Sequence, residues 1–301
     1  MNANADVRKY LRPDVASRLS RLDLVARLVV EGFITGLHRS PYHGFSVEFS
    51  EYRPYLSGDP TRNLDWKILG KTERFYVKLF EEETNLKATL VVDASASMGY
   101  TSGLTTKLQY ATYLSAALAY LMLLQRDAVG LLAFDTAIRT FVPPRSVLSY
   151  LHVLLPALDN LRPGGETDVV RIFHDLAERI KRRGLIVVFS DLLDDAGRVL
   201  SALKHFRHQK HEVIVFQVLD PKEMSLAFDT DAVFEDMESG QRLHTDPRQI
   251  GPEYRVSMSR FIERLKRECR SSGIDYEPVS TDQPFDTVLF RYLSKRKRMG
   301  G

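Results

Sequence analysis

The fold of this chain is decided by residues 88–108, which read ATLVVDASASMGYTSGLTTKL. An apolar run at 90–92 ends abruptly at Asp93, and Ser95 and Ser97 follow at alternate positions. A short apolar run bounded by polar residues is typical of a strand that is buried on both faces. Side chains that follow such a strand lie at the edge of a sheet, where open α/β sheets bind their ligands. The stretch therefore predicts a buried strand that ends in a cluster of oxygen donors.

Apolar runs alternate with helical patterns over the middle of the chain. Strands are predicted at KATLVVD (87–93), AVGLLAFD (128–135), AIRTFVPP (137–144), GLIVVFSD (184–191), HEVIVFQVLD (211–220) and IDYEPV (274–279). Helices are predicted at 106–126, 146–160 with an interruption near Pro156, 169–183, 196–209 and 254–271. The strand at 137–144 is expected to pair antiparallel with the one before it and to end at its two prolines. Together these elements predict an α/β fold with a doubly wound, mostly parallel sheet flanked by helices.

The two ends of the chain have different patterns. Residues 1–85 contain a predicted helix at 14–36 and alternating stretches at 45–49 and 75–79, which indicate a small N-terminal helix plus β module. Residues 86–280 form the predicted α/β domain. Residues 281–301 predict a C-terminal helix and a basic tail, and the apolar face of that helix consists of Phe285, Val288, Leu289 and Tyr292.

Composition narrows the class of protein. The 301 residues are 44% hydrophobic and carry a net charge of +3, which is too small for this length to indicate nucleic-acid binding. The single cysteine, Cys269, cannot form an internal disulfide. The first residues lack the apolar core of a signal peptide, and the apolar runs are too short to cross a bilayer. We therefore expect a cytoplasmic protein that neither inserts into a membrane nor binds nucleic acid.

Three segments of the predicted sheet are expected to converge at its carboxyl edge. They supply two carboxylates and three hydroxyls, on Asp93, Asp191, Ser95, Ser97 and Thr167. Hard cations such as Mg²⁺, Mn²⁺ or Ca²⁺ prefer oxygen ligands of this kind. Since hydroxyls are neutral, the ion would retain positive charge that a further carboxylate from outside can neutralise. The pattern predicts a divalent-cation site with a place for one further carboxylate from outside.

Simpler structural roles remain open for these residues. Asp93, Ser95 and Ser97 belong to the residue types that cap helix N-termini, although the next helix is expected to begin near residue 105. The Gly-Gly turn before Thr167 also fits a helix cap, and a capping hydroxyl can still point towards a metal.

Two further clusters, one of histidines and one of basic residues, are best interpreted as solvent-exposed segments without a specific ligand. His205, His208 and His211 have a spacing that suggests zinc, but the sequence offers no fourth ligand nearby, which favours a solvated basic helix end. The segment KRKR at 295–298 is typical of a solvated tail, whose contacts with acidic partners or RNA would be weak and salt-dependent.

The order of the oxygen donors resembles that of a known fold. D-x-S-x-S after an apolar strand, then a threonine in a glycine-rich loop, then an aspartate after a later strand, is similar to the von Willebrand factor A-like domain with its metal-ion-dependent adhesion site. The resemblance implies that Ser95, Ser97 and Thr167 contact the metal. It also implies that Asp93 and Asp191 bind it directly or through water.

The N-terminal module carries a second resemblance. The pattern R-x-Y-x-x-G-D-x-x-R-x-x-D-W runs through Arg53, Tyr55, Gly58, Asp59, Arg62, Asp65 and Trp66. It resembles the MoxR-associated bacterial domain-of-unknown-function family fifty-eight, and the resemblance extends over about residues 30 to 220. It implies a partner of the MoxR-type AAA+ ATPase class. The motif residues themselves are expected mainly to hold the module together, with partner docking as the alternative.

Two functions remain in competition. The first is a metal-dependent protein-binding adaptor that works with a MoxR-type AAA+ ATPase in a chaperone-like or assembly role. The second is a metal-dependent phosphoryl-transfer enzyme or phosphoester hydrolase that uses Asp93 and Asp191. The chain has no G-x-x-x-x-G-K-[ST] loop and no G-x-S-x-G elbow, so the sequence favours a protein that is not an enzyme.

Overall fold

The computed structural model describes residues 21–37, 52–54, 70, 76–78, 86–165, 169–180, 183–228, 230–238 and 240–289. Its strands are β1 (Tyr52–Pro54), β2 (Tyr76–Lys78), β3 (Lys87–Asp93), β4 (Ala128–Phe134), β5 (Ile138–Arg145), β6 (Leu185–Ser190), β7 (Glu212–Leu219), β8 (Ala232–Glu235), β9 (Arg242–Thr245) and β10 (Asp275–Ser280). Its helices are α1 (Leu22–Leu37), α2 (Lys107–Leu124), α3 (Leu151–Asp159), α4 (Val169–Arg179), α5 (Ala196–His208), α6 (Pro221–Ser225) and α7 (Pro247–Ser271).

The central sheet has six strands in the order β10-β7-β6-β3-β4-β5. All neighbouring pairs are parallel except β4 and β5, which are antiparallel. Strand β3 therefore lies between β6 and β4, and the chain reverses its direction of progress across the sheet at this point. The structure confirms a mixed α/β fold with a mostly parallel central sheet flanked by helices, and it places the carboxyl end of β3 at the crevice where such sheets bind ligands.

Both faces of the sheet are covered by apolar side chains. One face packs against α1, α2 and α3, and the other packs against α4, α5 and α7. Helix α2 is apolar around most of its circumference and is correspondingly buried among the other elements. Val25 and Val29 of α1 belong to the same apolar cluster as α2, and so do Phe285, Val288 and Leu289 near the C-terminus. Both predicted terminal segments thus contribute to the central core.

Several predicted elements differ from the observed ones. Strand β5 continues through Pro143 and Pro144, because it is an edge strand and its outer backbone amides need no partner in the sheet. Helix α3 contains Pro156 without interruption. Helix α7 begins at Pro247, earlier than predicted, and the β8–β9 hairpin before it was not predicted at all.

Some predictions lie outside the described residues. These are the strand at 45–49, motif residues 55–66, Thr167, Tyr292 and the basic tail. The boundaries at residues 85 and 280 remain predictions.

Candidate functional site

The candidate site lies where β3 and β6 end side by side. Asp93 is the last residue of β3, and Asp191 follows directly after β6. The two strands are parallel neighbours, so residues 88–92 pair in register with 185–189. Asp93 is fully buried and Asp191 is 5% exposed. Parallel pairing therefore brings two carboxylates that are 98 positions apart in the sequence to one edge of the sheet.

Asp93 is held by two hydrogen bonds within the site. Its Oδ1 accepts from the backbone N–H of Ser95 at 2.9 Å, and its Oδ2 accepts from the hydroxyl of Ser190 at 2.6 Å. Burial, followed by the nearby charge of Asp191, raises the pKa of Asp93 to about 7. The hydrogen bonds act in the opposite direction but do not cancel this effect. Ionisation of Asp93 beside Asp191 is therefore unfavourable as long as only protein groups surround the two carboxylates.

The two predicted serines lie together. The hydroxyl oxygens of Ser95 and Ser97 are 3.1 Å apart, and Ser97 is partly exposed while Ser95 is fully buried. Helix α2 is capped by Thr106, which forms a reciprocal capping box with Gln109. The capping alternative for α2 is thus excluded for Asp93, Ser95 and Ser97. Ser95 does precede a short 3-10 turn, Ala96–Gly99, but its side chain makes no capping bond there.

Asp191 is paired with a lysine that the sequence did not suggest. Lys107 is fully buried, and its Nζ lies 2.8 Å from Asp191 Oδ2 and 2.5 Å from Glu223 Oε1. Burial lowers the pKa of Lys107, but the two carboxylates outweigh burial and raise it overall. Burial also raises the pKa of Glu223, against the attraction of Lys107. Lys107 and Glu223 thus compete for one proton. We assign the proton to Lys107, because that side chain faces two carboxylates.

The loop after β6 is held in an unusual backbone conformation. Leu192 has φ +51°, which is rare for a residue with a branched side chain, and it is fully buried. The buried amide of Gln217 donates to the backbone oxygen of Asp191 at 2.7 Å, and Tyr276 donates to Gln217 in turn. These contacts come from β7 and β10. They hold the backbone at Asp191. Among the bonds described, the side-chain Oδ1 of Asp191 accepts only a long 3.4 Å bond from the Leu193 amide.

The loop that carries Thr167 is anchored beside the serines. The backbone N–H of Ala96 donates to Gly165 O at 3.1 Å, and the N–H of Gly164 donates to Ala94 O at 3.0 Å. Gly165 has φ +73°, a conformation that glycine adopts without strain. Thr167 itself lies outside the described residues. The structure thus brings together Asp93, Ser95, Ser97 and Asp191. It also places Gly164 and Gly165, which precede Thr167 in the sequence, next to them.

Four site residues were missed from the sequence, namely Lys107, Ser190, Gln217 and Glu223. A local signal existed for three of them. Lys107 is a charge at the start of an otherwise apolar helix, Ser190 is a hydroxyl within VVFSD, and Gln217 interrupts the apolar run VIVFQVL. Each is a polar residue in a segment that is otherwise buried, which indicates a specific partner. Glu223 lies in the short helix α6 and had no such signal.

The zinc interpretation gains no support. His211 is buried and its Nε2 lies 3.0 Å from Ile180 O, while the ring of His205 contacts that of His174. Among the residues that the structure describes, no group of three or more His, Cys, Asp or Glu side chains is arranged to hold a metal ion.

A cleft of about 760 Å³ opens from the site towards the β8–β9 hairpin. Ser97 and Asp191 line its inner end, and Phe234 and Leu243 of the hairpin line its outer end. Of the candidate ligands, Ser97 and Asp191 are thus accessible to a partner that enters the cleft. Across the described ranges of the chain, none of the helices has the length and apolar character needed to cross a membrane.

Comparison with protein families gives one match over most of the chain. Residues 51–261 match the family described as "Protein of unknown function DUF58". Similar curated proteins include the uncharacterized proteins Mb1516 of Mycobacterium bovis and Rv1480 of Mycobacterium tuberculosis. Each is 27% identical over 293 residues, which cover 95% of this chain and 91% of the relative.

The solved structures with a similar fold have lower sequence identity to this chain than the mycobacterial relatives have. The conserved hypothetical protein BatB from Bacteroides thetaiotaomicron is 18% identical, with a TM-score of 0.49, and the match covers 71% of this chain and 99% of that one. An aerotolerance-related membrane protein from Bacteroides fragilis is also 18% identical, with a TM-score of 0.47, and covers 70% and 99% respectively.

Proposed function

The chain belongs to the DUF58 family of proteins of unknown function, and from this premise we propose that it is a metal-dependent protein-binding adaptor. In this proposal its α/β domain is of the von Willebrand factor A-like type. A divalent cation, Mg²⁺ or alternatively Mn²⁺ or Ca²⁺, is held at a metal-ion-dependent adhesion site and captures an Asp or Glu of a protein partner. The protein has no enzymatic activity of its own.

One observation carries the proposal. Two buried carboxylates from adjacent parallel strands, Asp93 and Asp191, lie beside a pair of hydroxyls 3.1 Å apart, and Asp191 and Ser97 line an open cleft. The raised pKa of Asp93 results from its burial and from the charge of Asp191, and a cation between them would relieve both. Lys107 compensates for only part of the negative charge, because it also contacts Glu223.

The donor set fits a hard cation. Ser95 and Ser97 offer hydroxyl oxygens, and Thr167 is expected to add a third from the neighbouring loop. Asp191 can use Oδ1, since Lys107 binds Oδ2. Asp93 would bind directly or through water. When bound, the cation supplies an electrophilic centre that prefers oxygen ligands and attracts a carboxylate.

The proposed partner is a MoxR-type AAA+ ATPase or one of its clients, and the role is chaperone-like or in assembly. The support is the resemblance of motif residues 53–66 to the MoxR-associated family. The proposal includes a cytoplasmic location.

The phosphoryl-transfer alternative has less support. An aspartyl nucleophile needs a carboxylate oxygen that can reach a phosphorus atom. Asp93 is fully buried, and each of its oxygens already accepts a hydrogen bond, from Ser95 and from Ser190. At Asp191, Lys107 binds Oδ2, so only Oδ1 remains for a further contact.

Calorimetric titration of Mg²⁺ and Mn²⁺ tests the proposal. Wild type should show saturable binding, and Asp93→Asn should lose it while it remains folded, because Asn keeps the size and one acceptor oxygen of the side chain. Asp195→Asn is the matched control, since Asp195 is an exposed cap of α5 that accepts from the backbone of Arg198 at 2.9 Å. Equal binding by wild type and Asp93→Asn would refute the metal site.

A further inference from the structure

The cleft beside the candidate site is lined by apolar and acidic side chains, and these indicate what kind of segment it binds. We propose that it binds an extended segment of a partner protein which carries an acidic residue at the site, a bulky apolar residue next to the β8–β9 hairpin, and a basic residue at the outer rim. The inference rests on the proposed function for the position of the acidic residue. The apolar and basic contacts follow from the cleft alone.

The outer half of the cleft is apolar and open to solvent. Leu243 is 61% exposed and Met237 is 47% exposed, and both line the cleft. Phe228 and Phe234 stand edge to face below them, with ring centroids 5.6 Å apart. Large apolar side chains grouped at this exposure are typical of a surface that binds another protein. They are too exposed for an enclosed small-molecule site, which buries most of its ligand.

The rim of the cleft is mainly acidic. Apart from Asp191 and Glu223, which contact Lys107, the acidic residues of the described lining are Asp194, Glu235, Asp236 and Glu238, and the basic ones are Arg198 and Lys222. Lys222 turns its Nζ to the backbone oxygen of Ala227 and lies 5.2 Å from the centre of the Phe228 ring. Glu235 is paired with Arg242 at the exposed surface, where such pairs are weak and exchange readily. A partner segment with a Lys or Arg beyond its apolar residue complements this rim.

The cleft is continuous with the site. Ser97 and Asp191 line the same cavity as Phe234 and Leu243. An extended segment that lies along this cavity, at about 3.3 Å per residue, contacts both ends. The order from the inner end is therefore acidic, then apolar, then basic.

The register of the hairpin provides a matched pair of substitutions. Phe234 pairs with Leu243, and Val233 pairs with His244, so successive residues point to opposite faces of the hairpin. Leu243 lines the cleft, whereas Val233 is 51% exposed and does not. Leu243→Asp and Val233→Asp therefore introduce the same charge at similar exposure on opposite faces. Neither residue belongs to the buried core, so both variants should fold.

The test is a selection from a phage-displayed library of random peptides, carried out against the full chain in Mg²⁺. The enriched peptide is then synthesised with a fluorescent label, and its binding is measured by polarisation. We expect enriched sequences to contain an acidic, an apolar and a basic residue. Leu243→Asp should weaken binding by about tenfold or more through loss of one apolar contact, and Val233→Asp should change it less than about twofold.

The outcomes separate the cleft from the metal site. Binding that requires Mg²⁺ and Asp93 but tolerates Leu243→Asp overturns the cleft inference and leaves the metal site standing. Binding that is lost with Leu243→Asp but is unaffected by Mg²⁺ removal supports the cleft and refutes the metal bridge. A selection without enrichment overturns the cleft inference. Dimerisation of wild type in sedimentation velocity, if Leu243→Asp abolishes it, also overturns the cleft inference. The occupant of the cleft is then a second copy of the chain.

Discussion

Replacement of Asp93 by asparagine should stabilise the metal-free protein at neutral and alkaline pH. In the native state the pKa of Asp93 is raised from 3.8 to about 7, first by burial and second by Asp191. Between these two values the native state binds a proton that the unfolded state has lost, so the free energy of unfolding falls as pH rises. The destabilisation is absent below about pH 4 and complete above about pH 7.

The structure sets the size of this effect. The difference between 3.8 and about 7 corresponds to about 4 kcal/mol once the group is ionised in both states. Asparagine carries no charge and can still accept from the Ser95 amide, while Ser190 must reverse its hydrogen bond at a cost of about 1 kcal/mol. The variant should therefore be more stable than wild type by about 3 kcal/mol at about pH 8, and by close to zero at about pH 5.

Urea unfolding in EDTA at these two pH values measures the difference. Asp195→Asn is the control for loss of a carboxylate at an exposed helix cap, and it should change stability by less than about 0.5 kcal/mol at about pH 8. Addition of Mg²⁺ at one hundred times its dissociation constant should then stabilise wild type alone, by about 2.7 kcal/mol. If Asp93→Asn lowers the free energy of unfolding equally at both pH values, ionisation of Asp93 beside Asp191 is not unfavourable. The inference that a cation relieves this repulsion is then wrong.

Three further predictions follow from single contacts. Lys107→Met should lower the free energy of unfolding by about 3–5 kcal/mol, because it leaves the buried Asp191 and the partly buried Glu223 without their cation; a loss below about 1 kcal/mol in urea unfolding would contradict the pairing. Gly130→Ala should lower stability by about 1–3 kcal/mol in thermal unfolding, since its Cβ would lie 2.7 Å from a backbone oxygen of β5; an unchanged melting temperature would show that β5 can move away. Cys269 should resist thiol reagents in the native protein and react after unfolding, because burial raises the pKa of its thiol to about 12; rapid native labelling would contradict that burial.

The buried strands and the helices between them could be predicted from the residue pattern alone. Residues 87–93, 128–134 and 185–190 are apolar enough to be strands covered on both faces, and the helices between them follow from their period. These patterns are local, so they can be recognised without knowledge of the neighbours. The placement of Asp93 and Asp191 at strand ends follows in the same way. The β8–β9 hairpin was not predicted, because an exposed hairpin is not constrained by burial on two faces. Edge strand β5 was predicted, but its end was misplaced, because an edge strand tolerates prolines.

Which groups meet at the site depends on how the elements pack in three dimensions. The order of the sheet places β6 beside β3, and packing of α2 brings Lys107 to Asp191, 84 positions along the chain. Ser190 and Gln217 acquire their partners in the same way. Such contacts depend on the sum of packing over many elements, and no local pattern encodes them. The sequence thus specifies which residues reach the sheet edge, and the packing of the whole domain specifies which charges neutralise one another there.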